Sequence, residues 1–333
     1  MLNSLFLQNK KYLLLISLCF SFGCANLQTR RFGQQPVPPK QVSAPAGQSA
    51  ALPQVDSGSG SVLAPSDDLS EFADEVMEPN PTFEEIRLGL ILGPGGAKTY
   101  GHIGILKEFQ KRKIPIQMIA GLEWAALPAA IFASKGYVND VEWQMMKMKE
   151  DEWLTSSFLS SQKSLPVAEV QDDLNKIFAS LRVENLKHMF VCPAWNLDKK
   201  QTYLMQKGNL SQLLPFCLGY PPLFQPYQRN VAGLTDIKAI TDYMRSKGVN
   251  YVLFVNVLDQ APAMLVKDDV GSSIAWSTIL SQYQKQRNGI DEVIAVNLKN
   301  FQLQDFGKKR EIMKTSIDLA EKAVGAWAKK QGF

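Results

Sequence analysis

The segment Gly93-Pro94-Gly95-Gly96-Ala97-Lys98 places three glycines within four positions, directly after the apolar run Leu88-Gly89-Leu90-Ile91-Leu92. Glycines at such a junction let backbone N–H groups close on an anion at the amino end of a helix. A phosphate loop needs a glycine six places before its lysine and another directly before it. Leu92 and Ala97 stand at those places, so nucleotide binding is set aside. The dinucleotide fingerprint fails because Lys98 occupies the place of its last glycine. Two readings remain: an oxyanion hole for acyl transfer, and a tight strand-to-helix turn with no chemistry.

Other reactive side chains are few. Two histidines and four cysteines are scattered along the chain, which excludes a zinc cluster and leaves no metal or cofactor to expect. His102 falls at a helix start and His188 beside a strand, and no Ser-His-Asp order links either to a nucleophile. Gly271-Ser272-Ser273-Ile274-Ala275 is a loose match to a serine elbow, but Lys267-Asp268-Asp269 precedes it where an apolar strand belongs. Those serines read as helix caps. Cys192 and Cys217 are expected as buried free thiols, although an oxidising compartment permits a bond between them. Trp143, Met145, Met146 and Met148 suit either an acyl groove or plain helix packing, and packing is the simpler expectation. The proline-broken stretch from Leu213 to Tyr227 could cap a cleft or serve as a packed connection.

The elements that must position these groups alternate. Arg87–Leu92 and Pro115–Ala120 read as buried strands, followed by helices over Tyr100–Arg112 and Trp124–Ser134. Further strands are expected at Phe190–Cys192, Tyr251–Val257 and Val293–Val296, with a closing amphipathic helix over Lys308–Lys330. This order predicts an α/β layered sheet with functional loops at the carboxyl ends of its strands.

The glycine segment, with Gly101-His102-Ile103-Gly104-Ile105-Leu106-Lys107 after it, resembles the opening of the patatin-like phospholipases. The order downstream agrees. Ile119-Ala120-Gly121 and an apolar helix sit where that family has its nucleophile elbow, and Cys217 to Pro226 resembles the segment before its catalytic aspartate. The resemblance spans roughly Ile86 to Asp259 and implies a three-layer sandwich, a mostly parallel central sheet flanked by helices, over residues 84–330. It also implies a lipid acyl hydrolase of phospholipase A type, with Gly93, Gly95, Gly96, Ala97 and Lys98 as its oxyanion loop.

The catalytic pair itself departs from the pattern. The family's Gly-x-Ser-x-Gly reads here Gly121-Leu122-Glu123-Trp124-Ala125, which puts Glu123 at the nucleophile's position. Its Asp-Gly turn reads Val231-Ala232-Gly233-Leu234, which puts Ala232 at the base's position; Asp236 lies four residues on, too far to substitute without a shifted backbone. Carboxylate attack on an ester would give an anhydride, and nucleophile and base act as a unit, so losing both removes the chemistry. The expectation is an inactive pseudo-hydrolase that binds an acyl lipid or a protein partner, with an active acyl hydrolase of lipid metabolism as the alternative.

At the amino end, Lys10 and Lys11 precede an apolar run over Tyr12–Phe20 that is too short to span a membrane and about right for an export signal. Ser21-Phe22-Gly23-Cys24-Ala25 then resembles a bacterial lipobox, departing from it at Ser21 where leucine is usual. Residues 1–24 are therefore expected as a lipoprotein signal with Cys24 lipidated; a secreted protein cut nearby or an uncleaved anchor are the other readings. Residues 25–80, rich in Pro, Ser, Gln and Gly, cannot offset their ordering entropy by burial and read as a tether of roughly 40 Å reach. Asp67 to Phe72 within it reads as a solvated charge run, with a short docking helix as the other reading. The folded part is therefore expected in the periplasm on a membrane, and the lipobox resemblance, with Ala25 where inner-membrane retention in some bacteria uses aspartate, implies the outer one. A net charge of +4 without a basic tract gives no reason to expect nucleic acid.

Overall fold

The computed structural model describes residues 85–149, 164–258, 266, 269–285 and 287–333. By its contacts the chain divides into Met1–Val76 and Met77–Phe333, and every described residue lies in the second unit. The signal segment with Cys24, the tether 25–80 including its acidic run, Asp259, Lys267 and Asp268 lie outside the described residues.

Seven strands form one sheet: β1 (Leu88–Leu92), β2 (Ile116–Gly121), β3 (Met189–Asn196), β4 (Gln201–Met205), β5 (Asn230–Ala232), β6 (Tyr251–Asn256) and β7 (Glu292–Ala295). Their order is β4-β3-β2-β1-β6-β7, with β5 paired to β3. From β3 to β7 the pairing is parallel, while β4 and β5 run antiparallel to the second half of β3. All five residues of β1 are buried, as a central strand covered on both faces requires. This is the α/β sheet that the alternation predicts, mostly parallel as the resemblance implies.

Eight helices are present among the described residues: α1 (His102–Lys111), α2 (Ala126–Lys135), α3 (Val138–Lys147), α4 (Gln171–Phe178), α5 (Leu210–Leu218), α6 (Ile237–Ser246), α7 (Val270–Lys285) and α8 (Lys309–Gln331). α8 lies one residue further along than its amphipathic pattern suggested. Its buried Ile312, Ser316, Ala320 and Val324 recur every four residues and pack on α1. Gly104 is the point of closest approach, because a Cβ there would lie 2.8 Å from the Ser316 carbonyl. The helix expected over Tyr100–Arg112 is shorter, since a 3-10 turn over Gly96–Gly101 precedes α1.

Two expectations are corrected. Cys192 on β3 and Cys217 on α5 are joined in a disulfide, their Cα atoms 6.0 Å apart, where free thiols were expected. The packing of α5 across β3 and β5 faces the two residues toward each other, which spacing along the chain does not reveal. The cap of α7 is Asp269 rather than a serine: its carboxylate accepts from the Ser272 backbone N–H at 2.9 Å and from Ser272 Oγ at 2.7 Å, while Ser273 Oγ bonds Val266. A carboxylate accepts both donors at once, so it outcompetes a hydroxyl for the role.

Candidate functional site

β2 ends at Gly121, Leu122 stays extended, and Glu123, with φ 54° in the left-handed region, opens a 3-10 turn over Glu123–Ala125 that leads into α2. A Cβ on Gly121 would lie 2.4 Å from the Ala125 carbonyl oxygen and 2.5 Å from the Ala126 Cα, so only glycine lets strand and helix meet this sharply. This strand-turn-helix corner, with a strained residue at its tip, is the geometry of a nucleophile elbow. The tip residue is Glu123.

The glycine loop comes up against that tip. Gly93 donates to the Val255 carbonyl at 2.9 Å, Ala97 to Leu303 at 2.8 Å and Lys98 to Gly95 at 2.9 Å, so these three amides are engaged within the fold. Gly96 (2.9 Å) and Gly95 (3.3 Å) instead give their N–H groups to Glu123 Oε2. Of the five residues expected to make the oxyanion loop, Gly95 and Gly96 carry the anion-facing amides, while Gly93, Ala97 and Lys98 shape the turn. Gly96, at φ 52°, has no room for a Cβ, which would lie 2.5 Å from both Leu223 Cδ1 and the Leu303 carbonyl oxygen.

Glu123 is wholly buried, and its Oε1 makes no well-formed hydrogen bond. Burial pushes its carboxyl up to about 7, against the opposing pull of the Gly96, Trp124 and Gly95 backbone amides. The basic neighbours look elsewhere. Lys98 Nζ donates to the Leu298 carbonyl at 3.1 Å, and burial lowers it to about 8 with Asp305 partly restoring it. His102 Nε2 bonds the Gly93 carbonyl at 2.7 Å, and burial lowers the ring to about 4. A carbonyl only accepts, so Nε2 carries the proton of a neutral imidazole that braces the loop. His188 is half-buried, bonded to the Ile116 carbonyl and stacked on Phe132.

Ala232 ends β5, donates its N–H to the Gly219 carbonyl at 2.8 Å and is buried. The expected turn at Val231-Ala232 is thus a short strand paired to β3, and it ends at Gly233, which donates to the Pro193 carbonyl at 3.0 Å. Asp236 caps α6 through the Ala239 N–H at 3.2 Å. It is therefore committed to a helix end.

Residues that spacing alone did not reveal close over the elbow. Trp124 stacks on Phe224 at 4.7 Å and meets Phe306 edge-on at 5.6 Å. Leu223 presses on Gly96, so the proline-broken stretch acts as a packed cover, although its Pro215 lies within α5. Trp276 of α7 donates to the Pro221 carbonyl at 3.1 Å and meets Tyr220 edge-on. Tyr283 donates to the Leu234 carbonyl at 2.6 Å, and burial, with the fields of Tyr220 and Glu123 added, pushes its phenol well above the ordinary range. These contacts couple residues 49 or more positions apart, beyond the reach of local pattern. Met145 and Met148 are buried as core, whereas Trp143 is 60% exposed with Lys147 over its ring.

Among the described residues no group of His, Cys, Asp or Glu is placed to hold a metal, and no helix is long and apolar enough to cross a membrane. No family model matches the chain. It is 22% identical over 289 residues to Lysophospholipase NTE1 of Candida glabrata, covering 73% of this chain and 16% of that protein. The corresponding protein of Candida albicans is 20% identical over 304 residues, covering 80% of this chain and 22% of the relative. Neuropathy target esterase sws of Drosophila persimilis is 39% identical over 67 residues, covering 19% of this chain and 5% of that one. The chain therefore spans less than a quarter of the length of these relatives. Two solved structures are more distant: VipD from Legionella pneumophila (TM-score 0.36, 11% identity, 72% of this chain and 67% of that one) and the type III effector ExoU (TM-score 0.37, 11% identity, 72% and 53%). The sequence relatives bear out the resemblance first drawn from the glycine loop and its helix.

Proposed function

We propose that this chain, a relative of the patatin-like phospholipases, has given up ester hydrolysis and acts as a membrane-tethered binding domain. One observation carries the reading: the elbow tip holds a carboxylate, and that carboxylate rests on the Gly95 and Gly96 amides. A serine there would attack a carbonyl and leave its oxyanion to those donors. Glu123 instead fills with its own carboxyl the place where an oxyanion would have to develop, and its own attack on an ester would end in an anhydride. Ala232, a methyl group at the end of β5, can accept no proton.

Glu123, Trp124, Leu223 and Phe224 are all buried, which leaves an acyl chain no room at the elbow itself and favours a protein partner reading the outer surface. The Cys192–Cys217 disulfide fits an oxidising compartment, which supports export behind a signal ending at Cys24 and residence in the cell envelope on the periplasmic side, with the outer membrane preferred. Purified mature protein incubated with short-chain esters, lysophospholipid and phospholipid is expected to release no product above a blank. It is likewise expected to take no fluorophosphonate label.

The preserved amide pair favours a second reading, a working acyl hydrolase with a nucleophile elsewhere, because one oxyanion donor is worth about 10²- to 10³-fold in rate. Labelling of any serine by the fluorophosphonate would decide for it.

A further inference from the structure

The Gly95 and Gly96 N–H groups converge on one point, beside a loop whose other amides are already engaged at Val255, Leu303 and Gly95. What sits at that point is a side chain of the chain itself. Its neighbours offer it neither a cation nor a hydroxyl: Lys98 turns to the Leu298 carbonyl, His102 is neutral on Gly93, and the Tyr283 hydroxyl donates to the Leu234 carbonyl. Leu223, Trp124 and Phe224 wall the position. Two amide donors in an apolar wall suit a small, singly charged oxygen anion; a phosphate dianion would need cations that face away here. One Glu123 oxygen takes both amides while the other is buried without a well-formed bond, the posture of a carboxylate ligand that happens to be covalently attached.

We infer that the Gly95 and Gly96 amides form a carboxylate-binding site that the chain occupies with its own Glu123, so that the site receives a free carboxylate monoanion only when that side chain is withdrawn. The inference rests on Glu123 standing at the elbow tip. It adds that the elbow is closed by an internal ligand, which is a stronger condition than the lack of a nucleophile.

Acetate is the probe, with chloride at equal ionic strength as control. Glu123→Gly opens the position and relieves the left-handed backbone; Glu123→Gln keeps it filled by a neutral isostere. In Glu123→Gly, saturating acetate is expected to move the Gly95 and Gly96 amide resonances and raise Tm by about 3 °C, with less than about 1 °C in native protein and Glu123→Gln. Acetate acting equally on native protein, or leaving those amides unmoved in folded Glu123→Gly, overturns the inference. Should Glu123→Gly not fold, native protein decides. Its Gly96 amide resonance should titrate with the Glu123 carboxyl near pH 7, between the His102 and Lys98 transitions near 4 and 8 and below the tyrosines, and a flat Gly96 resonance across that range overturns the inference too. Ester turnover by native protein would instead unseat the proposed function, so the two failures are told apart.

Discussion

Glu123 combines two unfavourable features, a left-handed backbone costing about 1–3 kcal/mol and a fully buried carboxyl. Both are tolerated because the elbow fixes the first and the glycine amides partly satisfy the second. The carboxyl's raised value has a definite sign in stability. Between about 4.5 and about 7 the folded chain keeps a proton that the unfolded chain has lost, so this group makes stability fall as pH rises through that window. His102 acts oppositely: from 6.5 down to about 4 the unfolded chain takes up a proton that the folded one refuses, so its contribution falls with falling pH. Where the windows overlap the two slopes offset. Glu123→Gln removes one of them, and denaturant titrations should show it gaining on native protein, on the order of 3 kcal/mol, as pH rises from about 4.5 to about 7. A constant difference across that range would mean that the carboxyl does not titrate in the folded chain as described. Glu123 and the Gly95-Gly96 pair were legible in the sequence because an elbow and a glycine loop are short, local patterns. The direction of Lys98 was not, because its partners Leu298 and Asp305 lie some 200 residues away.

The corner between β2 and α2 depends on Gly121 as much as on its tip. Gly121→Ala drives a methyl into the backbone of Ala125 and Ala126, which cannot yield as a flexible side chain would. A loss of at least about 3 kcal/mol is expected, read as a lowered denaturation midpoint with unchanged slope; a neutral effect would show the corner to be looser than described. On the other side of the site, the disulfide ties β3 to α5 across a separation of 25 residues. Replacing both cysteines by serine should cost about 3.5 kcal/mol in the loop-entropy account. Equal stability of the double variant would mean that packing alone holds α5. The parallel strands and α8 were readable from apolar runs and helical spacing, with boundaries displaced by a residue or so, except that β3 runs four residues past the expected end at Cys192. β5 was not, since its three residues take their place from pairing with the far half of β3 and from bonds to Tyr227 and Gly219, none of which an apolar run announces. The Asp269 cap was missed for a related reason: serines were present at the right place, and only the bonds show which side chain won.

At the scale of the molecule, the proposal of an exported, lipid-anchored domain is tested at Cys24. Mass spectrometry of the mature protein should find a diacylglyceryl-modified Cys24 at its amino end; an unmodified cysteine there, or an intact signal, removes the anchor from the proposal. The most direct test is of the elbow as a whole. Product release from lysophospholipid and short-chain esters should be measured for purified native protein beside Glu123→Gln, with a protein-free blank. The account predicts that neither releases product above the blank. Turnover by native protein that the single substitution abolishes would contradict it, because the carboxylate at the corner would then be the working group of an enzyme.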